Sequence, residues 1–165
     1  MTQSFSGFTE NPVRMIRDDW ALLSAGTPEK WNAMTVSWGG VGHLWNKDVA
    51  FVFVRPQRYT LELMDANACF ALSFFGDRQG RAAEILTFCG KNSGRDVDKS
   101  AALQLAPISD QGAVYPSEAK RVFVCRKLFR QRIDPVGFID AGIAANYPGQ
   151  DYHVMFAGEI LRVIG

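Results

Sequence analysis

The sequence has only three cysteines in 165 residues: Cys69, Cys89 and Cys125. The number is odd, the spacings are wide and no CxxC occurs, which argues against a disulfide framework or a cysteine zinc site. Reduced thiols suit the cytoplasm, where the protein is expected to reside. The two histidines, His43 and His153, lie far apart, so there is no HxH or HExxH metal motif. Long hydrophobic runs are missing too. The longest strongly apolar stretch, Val49 to Val54, is far too short to cross a bilayer. Met1 to Asp19 is polar and carries no apolar segment of signal-peptide length. Neither sign of charge prevails: 18 Lys and Arg against 17 Asp and Glu leave a net charge of +1. No broad basic field exists to hold nucleic acid or an anionic membrane, although a small local anion site stays open.

Several catalytic signatures are also absent. There is no GxGxxG, since position 45 in the Gly40/Gly42 stretch is Trp45. There is no GxxxxGK[ST] and no GxSxG. A Rossmann nucleotide domain, a P-loop and an α/β-hydrolase elbow are therefore unsupported. No Ser/His/Asp set is suggestively spaced, and His153 reads more readily as a satisfied strand residue than as a base.

What is present is a composition of 47% hydrophobic and 21% charged residues, ordinary for one folded domain spanning residues 1–165. Twelve Phe and four Trp supply a barrel or sandwich core, with rings to spare for a flat ligand. Strands are expected at Trp20–Ser24, Asn32–Trp38, Val49–Val54, Ala68–Phe75, Val122–Phe129 and Tyr152–Ile164, the last with a possible bulge at Gly158. The continuous Val49–Val54 run reads as a strand buried on both faces. Gly26-Thr27-Pro28 is a turn, and Gly39 to Trp45 a glycine-rich connection. Pro56 suits the first turn of a helix running to about Ala66. A second helix is bracketed by Asp77 as N-cap and Gly90 as the residue beyond its end. Lys91 to Lys99 reads as a polar loop, and Gly137 to Ala145 as a short helical turn. Few helices and no strict βαβ alternation point to a mainly β, antiparallel barrel with small peripheral helices.

Three segments can carry chemistry. Arg55-Pro56-Gln57-Arg58-Tyr59-Thr60 joins a strand to a helix start, where free N–H groups and the helix dipole favour an anion. Arginine grips phosphate bidentately, and Thr60 can donate a hydrogen bond. An ordinary solvated helix start explains the segment equally well. Lys91-Asn92-Ser93-Gly94-Arg95-Asp96 joins two cations, a hydroxyl and a glycine in a loop able to wrap an anion, although solvated connections often have this composition. Along Asn32 to Gly40, Thr35 and Ser37 share one strand face, while Trp38 points the other way and opens a glycine hinge. Backbone polar groups, small hydroxyls and an aromatic wall are what a planar ligand needs on a strand. Core packing for Trp38 and turn chemistry for the glycines account for the same residues.

Taken together, these segments resemble the flavin reductase-like family of FMN-binding split barrels, particularly its flavoredoxin-type branch. The matching residues are Asn32 to Gly40, Trp45-Asn46-Lys47, Phe51 to Thr60, Ser73-Phe74-Phe75, Ser93-Gly94-Arg95-Asp96 with Asp98-Lys99, and Asp151-Tyr152-His153 with Gly158-Glu159-Ile160. They cover most of the chain in the expected order. The departures are Asp48 in place of proline, His43 in the glycine-rich connection and Phe156 in place of tyrosine.

The resemblance implies a Greek-key-like split barrel and a homodimer holding one FMN per subunit near the interface. It implies reduction by NAD(P)H or another donor, and delivery of electrons to flavin, oxygen, iron or a redox protein partner. The expected cofactor-binding residues are Asn32, Met34, Thr35, Val36, Ser37, Trp38, Arg55, Gln57, Arg58, Tyr59, Thr60, Lys91 and Ser93. The hard chemistry is the flavin's, so no catalytic residue is assigned. FMN is expected rather than FAD, because no dinucleotide fingerprint is present. A flavin or ferric reductase, an electron carrier and a non-enzymatic flavin-binding module all fit this set.

Overall fold

The computed structural model describes Phe5 and residues 8–165, so part of the polar N-terminal stretch lies outside the described residues. Its main element is a seven-stranded antiparallel sheet in the order β2-β1-β5-β8-β9-β4-β3. The strands are β1 (Ala21–Thr27), β2 (Lys30–Val36), β3 (Gly39–Leu44), β4 (Lys47–Val54), β5 (Cys69–Phe74), β8 (Arg121–Arg132) and β9 (Val154–Ile164). A separate hairpin pairs β6 (Pro107–Asp110) with β7 (Ala113–Pro116). The helices are α1 (Pro12–Arg14), which continues into a π-helical turn Met15–Asp19, then α2 (Tyr59–Ala66), α3 (Gly80–Lys91) and α4 (Lys99–Leu103). The chain passes from β4 to β5 across two sheet positions that β8 and β9 fill later, a Greek-key-like crossing.

Side-chain alternation decides which residues meet. Leu23 and Ala25 of β1, Val52 and Val54 of β4, Phe70 and Leu72 of β5, Phe123 of β8 and Phe156 of β9 share one core cluster. Leu61, Leu63 and Met64 of α2 join it from the barrel's end. On the opposite face, Leu22 of β1 packs under Ile85, Leu86 and Cys89 of α3 and Leu103 of α4. A third cluster sets Cys69, Ala71, Val122 and Val124 against Ala113 and Tyr115 of the small hairpin. Strands β1 and β5 are consequently covered on both faces, which accounts for their uninterrupted apolar runs.

The Val49–Val54 run behaves differently. Ala50, Val52 and Val54 enter the core, while Phe51 and Phe53 are only partly buried on the other face. The expected burial on both faces is therefore corrected, and the outward Phe53 is free to line a site. The Gly39–Trp45 connection is also corrected: Gly39–Leu44 forms β3, an edge strand paired to β4 from Gly39↔Val52 to Leu44↔Lys47. Its tight turn is Trp45-Asn46, with φ of 53° and 56°, the left-handed pair that a two-residue hairpin turn requires.

Helix boundaries shift as well. Pro56 sits in a turn closed by Arg58 N–H donating to the Arg55 carbonyl at 3.0 Å, and α2 starts only at Tyr59. Helix α3 starts at Gly80 after Gln79, not at an Asp77 cap, and Gly90 lies inside it rather than beyond it. The Lys91–Lys99 loop ends in α4, whose first turn Asp98 caps by accepting from the Ala101 N–H at 3.1 Å. The expected turn near Gly137–Ala145 is two short 3-10 turns, Pro135–Gly137 and Ala141–Asn146. The β8–β9 ladder slips opposite Gly158, but the extra residue there is Leu128 of β8.

Candidate functional site

Edge strand β2 runs along a groove with two parts. The broad part encloses about 330 Å³ and is lined by Met34, Thr35, Val36, Ser37 and Trp38, with Trp20, Phe53, Arg55, Arg58, Gly90 and His153 opposite. The narrow part encloses about 190 Å³ and is lined by Asn32, Met34, Gln57, Arg58, Tyr59, Thr60, Lys91, Asn92, Ser93, Gly94 and Lys99. Met34 and Arg58 belong to both, so the two parts are continuous. All thirteen residues expected from the sequence line one part or the other. Trp38 follows the end of β2 and lines the same groove as Thr35 and Ser37, instead of facing away.

Each end has its own electrostatics. At the narrow end, Arg58 donates to the carbonyls of Gly90 at 3.2 Å and Cys89 at 3.5 Å, at the C-terminal end of α3. Lys99 is 94% buried and donates to the Ala33 carbonyl at 2.7 Å and the Cys89 carbonyl at 3.1 Å. Among the described residues, neither cation has a carboxylate within ion-pair distance. Burial holds the Arg58 guanidinium below its ordinary value, and burial lowers Lys99 to about 8. Two desolvated positive charges with only carbonyl partners, beside the free N–H groups that open α2, make an anion cradle. The Asn32 amide donates to the Thr60 hydroxyl at 2.8 Å, leaving that hydroxyl's own proton free to donate.

At the broad end, the Arg55 charge is cancelled. Arg55 pairs with Asp151 at 2.7 Å and also donates to the Asn146 carbonyl at 2.9 Å. Gln57 donates to the same Asp151 oxygen at 2.8 Å. These two bonds, Gln57 first, hold the Asp151 carboxyl below its ordinary range. Arg55 and Gln57 are thus anchors for the segment preceding β9. That segment carries His153, whose Nδ1 lies 2.8 Å from the Tyr147 hydroxyl. Burial, aided by the charge of Arg55, lowers His153 to about 4, so it is neutral at pH 7. The rings of Trp38 and Phe53 flank it at 5.3 and 6.4 Å. The Thr35 hydroxyl donates to the Leu86 carbonyl at 2.5 Å, fastening β2 to α3. Trp20, at φ 62° and ψ 166°, is held by its indole N–H on the Arg17 carbonyl and by Arg78, 3.8 Å from its ring centre. This backbone region is almost confined to glycine, so the surrounding contacts keep a strained wall in place.

Sequence reasoning left Trp20, Phe53, Lys99 and His153 out of the site. Trp20 reaches it from just before β1 and Phe53 from β4, and no local spacing announces that. Lys99, next to Asp98, and His153, two residues after Asp151, each lie in a segment that carried the resemblance, which was the available signal. Among the described residues no group of histidine, cysteine and acidic side chains could hold a metal.

Solved structures share this architecture. A flavoredoxin from Methanosarcina acetivorans matches with a TM-score of 0.70 at 22% identity, over 90% of this chain and 68% of its own. An FMN-binding protein from Thermus thermophilus, with bound 1-cyclohex-2-enone, matches at 0.67 and 20%, over 99% and 77%. An NADH:FAD oxidoreductase from Streptomyces globisporus matches at 0.63 and 16%, over 89% and 75%. No match is found among curated proteins. The family described as flavin reductase like domain matches residues 16–164, nearly the whole chain, and the chain therefore belongs to the flavin reductase-like family.

Proposed function

We propose that the chain, as one domain, binds FMN along β2 and works as an oxidoreductase reduced by NAD(P)H. One observation carries this reading: the groove is broad and aromatic-walled at one end, where Asp151 neutralises Arg55, and narrow and cationic at the other, where Lys91 and Lys99 join Arg58 at the junction of the two parts. A flat uncharged ring system with a phosphate tail is complementary to that gradient. Arg58, Lys99, Thr60 and the first N–H groups of α2 would hold the phosphate; Thr35 to Trp38, Phe53 and Trp20 would bound the ring. When bound, FMN supplies the one- or two-electron chemistry, so the chain needs no nucleophile. The chain's own part is to orient the ring, exclude water from the broad end and keep a neutral His153 beside it.

We further propose a homodimer. Val136 and Ile139, 90% or more exposed, lie in the β8–β9 connection, whose later part Arg55 fastens at Asn146 and Asp151. Exposed apolar side chains grouped on one segment suit a covering partner. Light scattering should report about twice the 18.3 kDa chain mass; a flavin-bearing monomer at micromolar concentration would sink this.

A second reading is an electron carrier that docks with a redox protein. The observation favouring it is Trp38, 48% exposed and part of the wall of the broad cavity. Anaerobic addition of NADH or NADPH to the flavin-loaded protein separates the two. Rapid bleaching supports the reductase. Slow bleaching with rapid reduction by a redox protein supports the carrier, and no reduction by either leaves only a flavin-binding module. A purified protein without flavin absorbance, unable to take up FMN, would overturn the whole reading.

A further inference from the structure

The narrow end of the groove is closed by an unusually tight contact. The Gly94 backbone lies so near Asn32 and Tyr59 that an added Cβ would sit 2.6 Å from the Asn32 Cγ and 2.9 Å from a Tyr59 ring carbon. Each partner is held from behind. Asn32 is tied to Thr60 at 2.8 Å. The Arg95 guanidinium lies 5.4 Å from the Tyr59 ring centre, donates to the Gln57 carbonyl at 2.8 Å and pairs with Glu62. The turn presenting Gly94 is closed by Asp96 and Val97 N–H groups, both donating to the Ser93 carbonyl at 3.1 Å. Asn32, Gly94, Tyr59 and Lys99 also border a second cavity of about 430 Å³, which extends past Trp31, Lys30 and Arg95.

We propose that the Asn32–Gly94–Tyr59 contact is an end wall that admits a terminal phosphate monoester and excludes the adenylate half of a flavin dinucleotide. This rests on the flavin reading above and deepens it to a specificity. A phosphate monoester ends where the wall stands. In a dinucleotide the same phosphorus carries a further phosphate and adenosine, which would have to pass through the Gly94 contact. The second cavity, with the Trp31 indole and the cations of Lys30, Arg95 and Lys99 on its rim, lies where that adenylate would go if the wall were open. Discrimination of this kind comes from a steric obstacle to the larger ligand, not from better contacts to the smaller one.

The test is titration of the flavin-free full chain with riboflavin, FMN and FAD, followed by flavin fluorescence. The wild type should bind FMN on the order of a hundredfold more tightly than FAD. Tyr59→Ala removes the flexible side of the wall and should cut that preference at least about tenfold, mainly by strengthening FAD. Arg95→Ala, which leaves Tyr59 in place but frees its support, should shift the preference the same way by less. Riboflavin, lacking the phosphate, should bind both variants like the wild type and so reports whether the broad end is intact. If the wild type binds FAD as tightly as FMN while binding all three flavins, the wall is wrong and the flavin site stands. If both variants keep the full preference, the wall is wrong too. If no flavin binds the wild type, the site reading itself fails and the wall with it.

Discussion

The Asn32 side-chain amide donates to the Thr60 hydroxyl across 2.8 Å, joining edge strand β2 to the start of α2. Both residues are buried, at 5% and 0% exposure. Thr60→Val keeps the shape but leaves the Asn32 amide without this partner, at a cost of about 1–3 kcal/mol. Thr60→Ser restores the acceptor. Urea denaturation of the flavin-free protein should therefore show a lowered midpoint for the valine variant and a near-normal one for serine. Equal midpoints for the two variants would mean the bond contributes nothing.

Arg58 reaches two carbonyls at the end of α3 and borders both parts of the groove. Losing a hydrogen bond to a charged group costs about 1.5–3 kcal/mol, or roughly ten- to a hundredfold in affinity. Arg58→Ala should weaken FMN by that factor and leave riboflavin nearly unchanged. Arg58→Lys should not restore FMN fully, because an ammonium cannot span two carbonyls and a phosphate as a planar fork does. Equal weakening of both ligands would assign Arg58 to the fold alone.

How far the sequence revealed this depends on whether a feature is local. Strands β1, β4, β5, β8 and β9 carry enough Val, Leu and Phe to announce themselves. Strand β3 does not: Gly39-Gly40-Val41-Gly42 has almost no side chains to form a pattern, and only pairing with β4 makes it a strand. The hairpin β6–β7 has four-residue strands and is held by packing on the barrel, with Ser24 donating to the Val114 carbonyl at 2.5 Å. The site divides the same way. Residues 32–38 and 55–60 are contiguous and were readable as chemistry. Lys99 enters because α4 folds back to the end of α3, and His153 because Arg55 and Gln57 pin Asp151 two residues before it. Arg55 looked like a phosphate ligand only because its carboxylate partner is 96 residues away.

Lys99 gives the site a pH dependence. Burial lowers it from 10.5 to about 8, and the neighbouring Arg58 charge adds to the shift. Cys89, the other titratable neighbour, is raised by burial to about 11 and so stays neutral as the folded Lys99 titrates near 8. Below about pH 8 Lys99 is charged both folded and unfolded, so the full cost of burying the charge is present. Between about 8 and 10.5 the folded protein binds fewer protons than the unfolded one, so this residue's contribution to stability rises with pH. Phosphate favours the charged lysine. FMN affinity should accordingly fall as pH climbs through about 8, riboflavin affinity should stay flat, and Lys99→Met should abolish the difference. A flat FMN profile in the wild type would remove Lys99 from the cradle.

Gly158 in β9 faces the Phe70 ring so closely that a Cβ would stand 2.5 Å from it, and 3.2 Å from the Cys125 Cβ. Both neighbours are fully buried. Gly158→Ala should destabilise by about 1–3 kcal/mol through overpacking. Adding Phe70→Leu should recover part of the loss, since the two sites touch and their effects are not additive. Denaturation of the two single variants and the double variant measures that coupling, and strict additivity would show that the clash is relieved elsewhere.

His153 governs the acid side. Burial lowers it to about 4, against 6.5 for a free histidine. At pH 7 it is neutral in both states and its shift has no effect. As pH falls below 6.5 the unfolded chain takes up a proton that the folded site resists, so stability declines down to about pH 4. The carboxylates held low by their partners, Asp18, Asp98, Glu118, Asp151 and Glu159, add their own losses as pH falls through the ordinary carboxylate range, from about 5 downward. The interval from about 5 to 6.5 therefore isolates His153 among these groups, and His153→Gln should flatten the stability profile there. The Tyr147 hydroxyl, 2.8 Å from Nδ1, holds the ring in place, as donor to a bare Nδ1 or as acceptor from a protonated one. Proton NMR of the imidazole in the wild type reads the His153 value directly. A wild-type titration near 6.5 would show that the ring is open to water and that the broad end of the groove is not the dry, neutral wall described above.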